Sequence, residues 1–184
     1  MNDTAELRQL TMLIPPPVKP IGVDGPLNTG TPVLPSDLLS FARSYGSGYF
    51  DIDGGIFLEA LNPFAPDYSS RWENHMEQIR HYKKSEGDDY VPYDIYPKQP
   101  GLVLWGYGED RKHFFWLTEG PRDNWPVLVM HDLEFFTRFD CSMLSFTRKL
   151  LSGELDCAFI GGVDTANNRV DPRTCKFVSI LTTR

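Results

Sequence analysis

No stretch of this chain approaches the roughly 18 consecutive apolar residues that span a bilayer, so no membrane insertion is expected. Cysteine is scarce. Cys141, Cys157 and Cys175 form an odd, widely spaced set without a CxxC pair, which excludes a disulfide framework or a zinc site of the usual spacing and leaves buried or idle thiols. The common local signs of catalysis are also missing. With no nucleophile elbow, P-loop, dinucleotide fingerprint or HExxH, neither a cofactor nor a metal is expected. Positive charge is in short supply, with 18 Lys and Arg against 25 Asp and Glu and a formal net charge of -7. That balance argues against direct nucleic-acid binding and for a basic protein partner. The opening Met1-Asn2-Asp3-Thr4 lacks the positive n-region of a secretory signal, and the cytoplasm is the expected compartment.

What the chain does hold is apolar and aromatic. Its 184 residues are 41% hydrophobic and 13% aromatic, enough to bury one full core, and the expectation is a single domain. The densest β-favouring sequence lies in 101–139. Leu102 to Tyr107, His113 to Thr118 and Val127 to Met130 are short apolar runs, and Leu133 to Phe139 alternates. Their lengths suit strands, and the brief Gly-, Pro- and Asn-bearing connectors between them imply antiparallel neighbours. A four-stranded antiparallel meander is predicted at the centre of an α+β fold, a largely antiparallel twisted sheet flanked by helices.

Around that centre the chain divides into 1–34, an N-terminal helix followed by a Pro- and Gly-rich extended run, 35–153, the core, and 154–184, a C-terminal extension. Asp3 to Ile14 places Leu7, Leu10 and Ile14 on one side of a helix that Pro15-Pro16-Pro17 ends. Ser36 is the expected N-cap of a helix from Asp37 to Tyr45, stopped by Gly46. Tyr49 to Ile52 and Ile56 to Leu58 flank Asp53-Gly54-Gly55, a hairpin pattern. Asp51, Asp53 and Glu59 are residue types of a calcium loop, but Gly55 stands where such a loop carries a third ligand. Ser70-Arg71-Trp72-Glu73 reads as a capping box opening a helix with Trp72, Met76, Ile79 and Lys83 on one side, until Gly87. Glu77 and His81, four apart, read as a solvated polar pair. Ser142 can cap a further helix from Met143 to Leu151. Beyond it, Ala158 to Ile160 and Lys176 to Leu181 are β-like pieces that can add edge strands.

The most suggestive surface is 86–96. Glu86, Asp88, Asp89 and Asp94 alternate with Tyr90, Tyr93 and Tyr96, and no basic residue intervenes before Lys98. Carboxylates attract at long range and tyrosine offers rigid amphipathic contact, a combination suited to a basic protein surface. Tyrosines packed back onto the sheet are the alternative. Glu109, Asp110 and Asp123, on predicted turns, can extend the patch. A Cys/His pair could in principle be assembled from His113, His131 and Cys141, which leaves a small hydrolase or ligand-binding enzyme as a rival reading.

Several strings and their order resemble the SUKH superfamily, which includes fungal cell-wall assembly and glucan-synthesis regulators and many bacterial immunity proteins. The likeness rests on Ile14-Pro15-Pro16-Pro17, the Leu34-Pro35-Ser36-Asp37 helix start, Tyr45-Gly46-Ser47-Gly48-Tyr49-Phe50, Leu102-Val103-Leu104-Trp105-Gly106, Phe115-Trp116, Trp125-Pro126-Val127 and the helix from Ser145-Phe146 to Leu151. Many members carry Asn-Gly-Gly where this chain has Tyr45-Gly46-Ser47-Gly48, and the tail beyond Gly153 is longer than the pattern. The resemblance implies an α+β domain without catalytic residues that binds another protein. For bacterial relatives that partner is a toxin, often a nuclease, and the alternative is a scaffold or regulator of envelope synthesis.

Overall fold

Backbone N–H and C=O groups in short apolar runs must be paired when buried, and runs joined by tight polar turns find those partners in one another. In the computed structural model, which describes residues 3–28, 33–52, 54–109, 111–133, 135–155 and 169–180, the elements in chain order are α1 (Asp3–Leu13), α2 (Ser36–Tyr45), β1 (Gly48–Ile52), β2 (Gly55–Ala60), α3 (Tyr68–Glu86), β3 (Asp94–Ile95), β4 (Gly101–Tyr107), β5 (His113–Leu117), β6 (Val127–His131), β7 (Phe135–Phe139), α4 (Met143–Leu151) and β8 (Cys175–Ser179). The predicted meander is β4 to β7, with every neighbouring pair antiparallel. It is half of a larger sheet. The strand order is β7-β6-β5-β4-β2-β1-β8, with the short β3 lying parallel to the start of β4. The expected hairpin is β1–β2, and the predicted C-terminal edge strand is β8, paired with β1. Cys157 and Ala158-Phe159-Ile160 lie outside the described residues.

Registered partners on adjacent antiparallel strands share a face, which sorts the sheet's side chains. Val103 faces Trp116 and Gly106 faces Phe114, while Leu104 faces Phe115 and Tyr107 faces His113. The first face is covered by α1, α2 and α4, which also contact one another. Phe146 of α4 lies 6.1 Å from the Trp105 ring and 6.0 Å from that of Phe114, and Phe41 and Tyr45 of α2 pack on Phe50 at 5.9 and 5.6 Å. The second face is covered by α3, whose buried side is Tyr68, Trp72, Met76 and Ile79. A register shift between Leu104 and Gly106 marks a bulge in β4. Bulges disrupt the local ladder, and the Trp72 indole donates to the Leu104 carbonyl there at 3.1 Å. Trp105, Trp116, Phe114 and Phe115 are all fully buried. Removing each such side chain from water contributes on the order of 2–3 kcal/mol. One continuous core therefore unites the described residues into a single α+β domain.

Two predicted helix starts are corrected. Ser36 is the first residue of α2 and makes no side-chain cap; its backbone N–H donates instead to Asp123 Oδ1 at 2.8 Å. Helix α3 begins at Tyr68, two residues before the predicted box, so Ser70 lies within its first turn and donates to the Asp67 carbonyl rather than capping. Apolar Tyr68, fully buried on the core side, draws the helix start forward. The cap expected at Ser142 is present, its oxygen accepting from Ser145 N. Asp37 has a larger role than its place beside a helix start implied. Buried at 3% exposure, it accepts from Leu38 N and from Met143 N, both at 2.7 Å, and so ties the start of α2 to the start of α4. The Pro- and Gly-rich run forms no helix among its described residues. It is pinned to the body where Ile21 bridges Gly46 and where Asn28 and Asn62 side chains donate to backbone carbonyls. Gly46 has φ 72°, and a Cβ there would sit 2.4 Å from the Ile21 oxygen, so both conformation and space require glycine.

Candidate functional site

The acidic segment follows α3 and crosses toward β3 over the face that α3 covers. Gly87, at φ 87°, ends the helix with its N–H on the Lys83 carbonyl. Val91 is then buried completely; Glu86, at the end of α3, and Asp88, Asp89 and Tyr90 between these two anchors are exposed. Lys83, expected only as an apolar-side helix position, holds the loop: its Nζ donates to Asp88 Oδ1 at 2.5 Å and to the Val91 carbonyl at 2.6 Å. The ammonium holds the Asp88 carboxyl below the usual carboxylate range, chiefly by that hydrogen bond. Asp94 is paired with Lys98 at 3.1 Å. Although no basic residue interrupts the segment before Lys98, folding brings Arg80, Lys83, Lys84 and Lys98 around a cleft with Asp88 and Asp94. The tyrosines divide as well. Tyr93 packs 5.3 Å from Phe136 of β7 and Tyr96 lies against the core, whereas Tyr90, half-exposed, meets Tyr82 at 6.3 Å.

The turn acids do not join this patch. Asp94 pairs with Gly101 at the start of β4 and Glu109 follows its end, which at about 3.3 Å per residue separates them by about 20 Å. Asp123 turns toward the opposite face to hold the α2 start, and that backbone hydrogen bond from Ser36 lowers its carboxyl pKa. Asp110 lies outside the described residues. What remains together is Glu86, Asp88, Asp89, Tyr90, Tyr93 and Asp94.

A second polar group, not anticipated from the sequence, lies between α3 and the sheet. Glu59 of β2 is registered opposite Tyr107 of β4, and Arg71 of α3 reaches down to both. The Tyr107 hydroxyl donates to Glu59 Oε2 at 2.8 Å, and the guanidinium lies 5.5 Å from the Tyr107 ring centre. Burial first, then the Glu59 carboxylate, raise the Tyr107 pKa. His75 stacks on Tyr107 at 4.3 Å and meets His113 edge-on at 5.6 Å. Both histidines have lowered pKa values, His75 by burial and by the Arg71 charge, His113 by burial and by His75, which bring it down to about 4. His113 Nδ1 lies 3.1 Å from the Arg111 carbonyl, so Nδ1 carries the proton and Nε2 is left as an acceptor. Tyr107 ends an apolar run visible in the sequence; the face it shares with Glu59 was not visible there.

Alongside this group runs an open groove of about 610 Å³. Asn74, Glu77, Gln78, His81 and Tyr82, which recur at helical spacing along α3, form one wall with Ile79, and His113 and Leu133 form the other. Leu133 belongs to the β6–β7 turn, where Asp132 and Leu133 adopt φ values of 51° and 65°.

The three side chains of the hydrolase reading do not converge. Met130, not His131, is registered opposite His113, so His131 projects from the other face. Cys141 follows Phe139, which pairs with Val127 at the far end of β6, and burial raises its thiol pKa to about 11. Near the suspected calcium loop, Asp51 Oδ1 accepts from Gly54 N at 2.9 Å and so closes the turn; Asp53 is outside the described residues. Among the described residues no three His, Cys, Asp or Glu side chains cluster as a metal site, and no helix is long and apolar enough to cross a membrane.

The fold and its surfaces define a single α+β domain with a pinned acidic loop and a polar groove on the α3 side. Comparison with protein-family models, curated proteins and solved structures found no match.

Proposed function

We propose that this chain is a non-catalytic protein-binding domain that acts in the cytoplasm as an immunity protein, neutralising a basic toxin domain, of which a nuclease is one kind, by direct contact. The observation that carries the reading is the Lys83 pin. A loop fixed by hydrogen bonds at Asp88 and Val91 presents Glu86, Asp89 and Tyr90 to solvent in one arrangement, and preorganisation lowers the entropy lost on docking. The net charge of -7 supplies long-range attraction for a partner that must itself hold phosphates. The SUKH-like strings support the same reading, because that superfamily includes immunity proteins and its expected α+β architecture agrees with the fold.

The test is binding and protection with any toxin domain that a neighbouring gene encodes. Wild-type chain should restore growth of cells expressing that toxin, and association should slow as salt is raised. The double variant Glu86→Ala with Asp89→Ala should slow association about tenfold while leaving the fold intact, and Lys83→Met should weaken binding by loosening the loop. An unchanged association rate in both variants would refute the acidic loop as the contact. An isolated gene, with no protection, would favour an envelope-synthesis regulator instead.

A further inference from the structure

The groove beside α3 has walls of three chemical kinds. Leu133 is apolar above the buried Ile79, Tyr82 brings an aromatic ring, and Glu77 brings a carboxylate. Of the described side chains lining it, Glu77 supplies the sole formal negative charge and none is Lys or Arg. His113, at its edge, is neutral near pH 7 with its free nitrogen an acceptor. The occupant that complements all of these is a flat cation on an apolar stem.

We infer that the groove between α3 and the β6–β7 turn receives an arginine side chain of the protein partner, its guanidinium on Glu77 and the Tyr82 ring and its methylene stem against Leu133. The inference rests on the protein-binding reading above and names the group that reading would recognise. Arginine fits better than lysine because its planar fork can meet a carboxylate with two parallel hydrogen bonds and still offer a face to an aromatic ring. The stem of a long cationic side chain is itself apolar and gains from such walls. A volume of about 610 Å³ lies within the range of about 300–1,000 Å³ typical of small-ligand pockets. The turn contributes a separate sign. Leu133 holds φ 65°, a conformation that favours glycine, and backbone held in sparsely populated regions concentrates at binding sites.

Titration of the full chain with N-acetyl-arginine amide, followed by NMR, tests this without any protein partner. Saturable shifts are expected at the backbone amides of Asn74 to Tyr82 and of Leu133, and N-acetyl-citrulline amide, nearly the same shape without the charge, should produce none. Glu77→Gln should weaken the arginine probe about tenfold, since a charge-assisted pair is lost. Leu133→Gly, which removes the apolar wall, should weaken it several-fold. Equal response to citrulline, shifts outside the groove, or an unaltered Glu77→Gln variant would overturn the proposal. Arginine binding without toxin protection would sink the immunity reading alone; protection by a chain that ignores the arginine probe would sink the groove alone.

Discussion

His113 should make this fold measurably weaker in mild acid. His113 is 7% exposed, its ring stacked 6.0 Å from Phe115 and edge-on 5.6 Å from His75. Burial, reinforced by His75, brings its pKa from 6.5 to about 4. Between those values the unfolded chain binds a proton that the folded chain refuses, so unfolding becomes easier as pH falls. The contribution is fully present above 6.5, declines through the interval and is exhausted below 4. At about 1.4 kcal/mol per pH unit, the displacement corresponds to about 3 kcal/mol. His75, lowered for the same physical reason and by Arg71, acts in the same direction. Urea unfolding followed by tryptophan fluorescence, from pH 7.5 down to pH 4, gives the profile for the wild type and for His113→Gln. Carboxylate protonation affects both, so the difference between the two curves isolates the histidine. That difference should grow with pH in favour of the wild type across the window. Parallel curves, or a His113 ring that titrates near 6.5 by NMR, would refute the reasoning.

The Glu59–Arg71–Tyr107 group invites a double-mutant cycle. Arg71→Leu leaves a Glu59 carboxylate at 6% side-chain exposure without its guanidinium and should cost about 3 kcal/mol, because an orphaned buried charge is penalised more than the pair was worth. Adding Glu59→Leu should recover part of that loss in thermal unfolding; a strictly additive second loss would show that the two side chains act independently. Asp37→Ala removes the acceptor shared by Leu38 N and Met143 N and should destabilise by about 2–3 kcal/mol. Faster amide exchange is expected at Met143 in particular, and unchanged exchange there would exclude the tie between α2 and α4.

The local grammar of the chain was readable throughout. Apolar runs of strand length between Gly, Pro and Asn turns gave away β4 to β7, the Asp53-Gly54-Gly55 tip marked the β1–β2 hairpin, and Gly46 and Gly87 marked helix ends. Helix starts were less legible. A Ser at the right offset looks like a cap, yet Tyr68 buried on the core drew α3 two residues forward, and Asp123, far along the chain, satisfies the α2 start in place of the Ser36 side chain.

The sequence by itself determined the α+β class, the meander, the acidic excess and a loop rich in aspartate and tyrosine, because these follow from composition and from periodicities of two and of three to four residues. Tertiary structure alone decided what each charge meets. Lys83 sits five residues before Asp88 but the last turn of α3 and a glycine redirect the chain between them, and Arg71, Glu59 and Tyr107 come together only when strand register puts two of them side by side and α3 is laid across. Register and helix placement are set by how apolar side chains interlock throughout the core, and no window along the chain contains that information.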